Sequence, residues 1–168
     1  TICLGTTASI TGQATEVTYM QDCAPAVDDT LLLPDGVGAS YVATTTLTCF
    51  AAGQTLLDVN EITGICVNME HSWANDLSIE IECPSGETVI LDSSGGTGSE
   101  TFLGEPIDGD EGAPVPGLGY DYCWSPSPTY GNWNAEAGSG ITLPAGDYAS
   151  ENPLEDLVGC TLNGDWTL

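Results

Sequence analysis

Residues 65–83 read ICVNMEHSWANDLSIEIEC. Two alternating runs flank a short polar break. In the first, Ile65, Val67, Met69 and His71 share one face, and Cys66, Asn68 and Glu70 share the other. In the second, Leu77, Ile79, Ile81 and Cys83 point one way, and Ser78, Glu80 and Glu82 the other. Side chains alternate with period two along a strand, so the pattern predicts two half-buried strands. Ser72 to Asn75 supply a turn, and the pair is expected to form a hairpin. Its apolar face then needs a second sheet to cover it.

Outward from this stretch the same texture continues. YVATTTLTCF at 41–50 is rich in β-branched residues, which suit a pleated surface. Residues 54–60 and Val89 to Leu91 read as short strands. Residues 101–122 read as a long acidic loop without periodicity, and residues 141–148 carry a Pro-Ala-Gly-Asp turn. Asn163-Gly164 reads as a tight turn, after which Trp166 and Leu168 start a strand. No run of helical length shows helical periodicity, so the chain is expected to be all-β with many loops.

The charge balance excludes several function classes. The chain has 168 residues, 25 of them acidic, and no Lys or Arg. Ion pairs between side chains can therefore form only through the single histidine, His71. Stability must rest on burial, backbone hydrogen bonds and covalent or metal staples. Nucleic acid and anionic membrane surfaces are poor partners for such a surface, and divalent cations are good ones. No membrane-spanning run or signal peptide is evident, so the chain reads as a processed or excised piece, not embedded in a membrane.

The seven cysteines stand singly, at 3, 23, 49, 66, 83, 123 and 160. None forms a CxxC pair and only one His is present, which argues against zinc. Scattered cysteines in an acidic β-domain point to disulfides and an oxidising compartment. Because the alternation puts Cys66 and Cys83 on opposite faces, those two are not expected to pair. Cys83 is open to Cys123 or Cys160, and Cys3 is matched with Cys23. The odd number leaves one cysteine free or paired outside the chain.

Calcium is the sharpest chemical expectation, since it takes six to eight oxygen ligands. Glu105, Asp108, Asp110, Glu111 and Asp121 lie in one Gly- and Pro-containing stretch, and Asp76 in the break of the 65–83 segment could join them. The plainer reading is solvated surface carboxylates. Trp73, Trp124, Tyr130 and Trp133, with Tyr120 and Tyr122 nearby, are candidates for stacking on sugar rings. The plainer reading makes them plugs under long loops. His71 is the only candidate base, but its place on the apolar face suits a structural histidine, and no catalytic constellation accompanies it. The chain is not expected to be an enzyme.

HSWANDLSIEIECPSGETVIL at 71–91 resembles the P domain of proprotein convertases, also called the Homo B domain. The residues that carry the resemblance are His71, Asp76, Leu77, Ile79, Pro84, Gly86 and Leu91. A second block follows in the same order, with Pro153, Leu154, Gly159, Asn163, Gly164, Trp166 and Leu168. GYDYCW, LPAGDY and the cysteines at 66, 83, 123 and 160 resemble P domains of large secreted surface proteins of gliding, Bacteroidota-type bacteria, giant adhesins among them. The resemblance spans about residues 33–168, leaving 1–32 as an N-terminal arm or linker. It implies a jelly-roll-like antiparallel β-sandwich, located outside the cell at its surface. It also implies a non-catalytic role, as an adhesin or filament domain that contacts neighbouring domains, other subunits or surface glycans. The alternatives are a P domain that stabilises a protease domain elsewhere in the parent chain, and a carbohydrate-binding module. The family continues after its Trp-x-Leu strand into one more strand, which this sequence lacks.

Overall fold

The computed structural model describes residues 31–34, 38–93, 100–107 and 115–168. The fold is all-β. The described residues form nine strands: β1 (Thr44–Leu47), β2 (Ile65–Met69), β3 (Ile79–Glu82), β4 (Thr88–Asp92), β5 (Thr101–Leu103), β6 (Tyr120–Trp124), β7 (Ile141–Leu143), β8 (Gly146–Tyr148) and β9 (Gly164–Thr167). The helical elements are short: one α-helical turn, α1 (Trp133–Glu136), and 3-10 turns at Val59–Glu61, Ala74–Asp76 and Leu154–Leu157.

The strands form a four-stranded sheet in the order β1-β9-β3-β4, a three-stranded sheet β2-β6-β8, and a pair β5-β7. The 65–83 stretch therefore makes both expected strands but not the expected hairpin. β2 pairs with β6, whereas β3 pairs with β4 and β9. The break at 70–78 is too structured to be a hairpin loop. His71 exchanges backbone hydrogen bonds with Leu103 of β5, at 3.0 and 2.9 Å, and a 3-10 turn follows. The chain thus leaves one sheet at Met69 and enters another at Ile79.

The expectation of purely antiparallel sheets is also corrected. β6 pairs with β8 in parallel, and so does β5 with β7. Parallel partners need a long crossover, and residues 125–145, carrying α1 and β7, provide it for β6 and β8. Residues 54–60 do not form the expected strand. Thr55 makes a single bridge to Thr161, and a 3-10 turn capped by the Asp58 side chain follows. The stretch 101–122 is not all loop, since β5 opens it and β6 begins at Tyr120.

One apolar cluster joins the sheets. Ile81, Val89 and Leu91 come from β3 and β4, Leu103 and Leu143 from β5 and β7, and Tyr122, Trp124 and Tyr148 from β6 and β8. The alternation in β3 is as expected, with Ile81 buried and Glu80 and Glu82 exposed. Tyr122 ties the core to the sheet ends. Its hydroxyl accepts from the Gly104 N–H at 2.7 Å and donates to the Leu143 carbonyl at 2.9 Å. Gly104 has φ +59°, and a Cβ there would lie 2.3 Å from the Leu118 carbonyl oxygen, so only glycine fits.

Two disulfides are formed among the described residues. Cys66 and Cys123 face each other across β2 and β6, and Cys83 joins Cys160. Cys66 and Cys83 do not pair, as the alternation required, and of the two partners open to Cys83 the chain uses Cys160. Cys49 is disulfide-bonded as well. Cys3 and Cys23 lie outside the described residues.

Candidate functional site

The expected calcium ligands do not gather at one point among the described residues. Asp108, Asp110 and Glu111 fall outside the description. Glu105 is exposed beside β6, where its Oε1 accepts from the Tyr120 hydroxyl at 2.9 Å. That bond raises the Tyr120 phenol above its usual range. Asp121 lies on the exposed face of β6, accepting from the Asn68 amide at 2.7 Å. Asp76 sits exposed in the turn Ala74–Asp76. These three do not form a group of ligand atoms within reach of one ion.

The described residues do contain one compact group of potential metal ligands, Cys83, Glu87 and Cys160, with donor atoms within 4.8 Å of one another. Glu87 Oε2 lies 3.1 Å from Cys83 Sγ and 3.6 Å from Cys160 Sγ. Those two sulfurs are bonded to each other. A disulfide sulfur carries neither the charge nor the proton of a thiol, and metal ligation needs the thiolate. In the oxidised chain this group is a staple flanked by a carboxylate. Only reduction would make it a ligand set.

The aromatic candidates divide. Trp124 and Trp133 are buried, 0 % and 3 % exposed, with ring centroids 5.2 Å apart. They are core residues and present no face to a sugar. Tyr130 and Trp73 are partly exposed. Tyr130 stacks on buried Tyr148, centroids 5.0 Å apart and planes at 27°. The two shallow surface depressions near Pro126, one lined by Asn60, Ile62 and Thr63 and the other by Pro128, Ser150 and Pro153, include neither Tyr130 nor Trp73.

His71 holds a structural post. Its Nδ1 accepts from the Trp73 N–H at 3.0 Å, which turns the chain toward the 3-10 segment.

Sequence reasoning passed over Asp92. This carboxylate ends β4, is 3 % exposed, and leaves its Oδ1 without a hydrogen-bond partner. Burial raises its pKa to about 7, and the nearby charge of Glu151 adds to the shift. A register shift between Ile79 and Glu80 lets consecutive β4 residues, Leu91 and Asp92, both turn inward. The sequence signal was present but faint: an Asp closing an apolar run in a chain that has no Lys or Arg to meet it. Trp133 Nε1, Trp124 Nε1 and Asp147 Oδ1 are the other buried polar atoms without a partner among the described residues.

Searches of family models, curated proteins and solved structures find no match to this chain.

Proposed function

We propose that this chain is a non-catalytic extracellular module of a secreted bacterial surface protein, an adhesin or filament domain, folded as a jelly-roll β-sandwich and stabilised by calcium. The observation that carries the reading is the covalent stapling. Cys66–Cys123 and Cys83–Cys160 close loops of 57 and 77 residues, and Cys49 is also bonded. Disulfides of this kind persist in oxidising compartments. They suit a chain in which side-chain ion pairs are nearly impossible. The jelly-roll form is supported by consecutive strands such as β2 and β3 falling in different sheets around one core. The adhesin assignment draws on the resemblance at 71–91 and 153–168.

A protease-associated P domain is the second reading, favoured by the same two blocks, and a protease motif in flanking sequence would decide for it. A glycan-binding module is the third, favoured by the partly exposed ring of Tyr130.

The test is a set of thermal melts at fixed ionic strength, with and without reductant, and with calcium, magnesium or chelator. Reductant is expected to lower Tm sharply. Calcium is expected to raise it more than magnesium, and mass action converts that rise into affinity. Free thiols at Cys83 and Cys160 in protein isolated from its native cells would refute the extracellular assignment.

A further inference from the structure

We propose that the Glu87 carboxylate guards the Cys83–Cys160 disulfide, slowing its reduction by small anionic thiols. This goes beyond the role proposed above and gives Glu87 a task of its own.

The turn between β3 and β4 places the carboxylate. Glu82 pairs with Thr88 where the strands end. One residue beyond that pair, the Cys83 N–H donates to the Glu87 carbonyl at 2.9 Å. Gly86, at φ +95°, lets the chain reverse, and its N–H donates to the Cys83 carbonyl at 2.8 Å. Glu87 Oε2 then rests 3.1 Å from Cys83 Sγ and 3.6 Å from Cys160 Sγ. Ser85 Oγ lies 3.4 Å from Cys83 Sγ and accepts from the Thr161 N–H at 3.2 Å, which ties the turn to the residue after Cys160. Cys83 and Cys160 are buried, whereas Ser85 and Glu87 are exposed. Two exposed side chains therefore lie against a buried bridge, and one of them is an acid.

Reduction carries negative charge through this point. A thiolate attacks one sulfur, the S–S bond breaks as a mixed disulfide forms, and the other sulfur departs as a thiolate. A second thiolate then attacks the mixed disulfide. Two external thiols are oxidised to a disulfide, and Cys83 and Cys160 gain the two electrons, with two protons from solvent. A carboxylate at contact distance opposes both the arriving anion and the departing one. Reactive cysteines have the reverse surroundings, a cation or a helix N-terminus beside the sulfur. This chain has no Lys or Arg to cancel the carboxylate, so the repulsion stands.

The test follows reduction of the folded full chain by three thiols of graded charge: mercaptoethanesulfonate, mercaptoethanol and cysteamine. Alkylation and mass spectrometry read Cys83–Cys160 and Cys66–Cys123 separately. Each variant's rate is divided by the parent's, so the intrinsic reactivity of each thiol cancels. Glu87→Gln is expected to speed reduction of Cys83–Cys160 by the sulfonate thiol about fivefold, by mercaptoethanol less and by cysteamine least. The gap should close in molar sodium chloride, and Cys66–Cys123 should keep its parent rate. Glu87→Asp retains the charge, and Glu82→Gln removes one from an exposed position of β3; both should stay near the parent. An equal factor for all three thiols, as when the bridge opens only after unfolding, makes Glu87 purely structural and overturns the proposal. A parent-like rate in Glu87→Gln overturns it too.

Discussion

The Tyr122 hydroxyl joins three strands at a single oxygen. It accepts from Gly104 at the end of β5 and donates to Leu143 at the end of β7, from within β6. Burial raises its phenol above the ordinary range, although the Gly104 N–H counters this by lowering it. Tyr122→Phe keeps the ring and its edge-on contact with Trp133, centroids 5.4 Å apart, but strands a buried N–H and a buried carbonyl. The expected loss is about 1–3 kcal/mol, read from urea denaturation with an unchanged m-value. A neutral substitution would mean that the strand ends repair themselves. Tyr122 was visible in the sequence only as one of a crowd of aromatics. The spacing of Tyr120, Tyr122 and Trp124 does mark a strand face, but nothing in it says that a hydroxyl at 122 finds backbone partners at 104 and 143. Asp92 was hidden for the opposite reason. Its importance comes from a bulge, and bulges leave no reliable trace in an alternating run.

Among the elements, the alternating strands were legible, the strand expected at 54–60 and the loop expected over β5 were misread, and strand partnership was not legible. Ile65 to Met69 and Ile79 to Glu82 are strands because their apolar residues alternate, and alternation is local. Which strands lie side by side depends on residues far along the chain. The segment 70–78 looked like a hairpin loop because it is short and polar, yet its backbone is committed to β5 through His71 and Leu103. The disulfides mix both kinds of information: the face of Cys66 excluded Cys83, but distance in space chose Cys160. Each bridge closes a long loop, so each restricts the unfolded chain by roughly 4 kcal/mol on the chain-entropy account. The Cys83→Ala, Cys160→Ala double variant should lose more than Cys66→Ala, Cys123→Ala. Cys83 and Cys160 are 2 % and 0 % exposed, and their removal also opens the core. Cys66 is exposed. Chemical denaturation of the two double variants checks the order, and the reverse order would place the weight on the β2–β6 ladder instead.

For the whole molecule, the net charge of −25 sets the response to salt. Repulsion among carboxylates opposes compaction, and its range shrinks from about 10 Å at 0.1 M salt to about 3 Å at 1 M. Melting temperature should therefore climb steeply with sodium chloride at low concentration and level off near molar salt. A flat profile in chelator would show that the acids are too dispersed to repel. This expectation comes from the sequence alone, because it depends on counting charges and not on where they lie. The acidic candidates at Glu105, Asp121 and Asp76 illustrate the limit of such counting, since the fold does not gather them into one ligand group.

The placement of β9 bears on how the chain is made. Residues 164–167 sit between β1 and β3, and Thr46 donates to Asp165 at 2.6 Å across most of the length of the sequence. A nascent chain delivers β1 and β3 long before the strand that must lie between them. Until residue 164 has emerged, β3 and β4 can pair with each other, but β1 has no neighbour in this sheet. Assembly is then forced to be late and collective, with slow, long-range pairing.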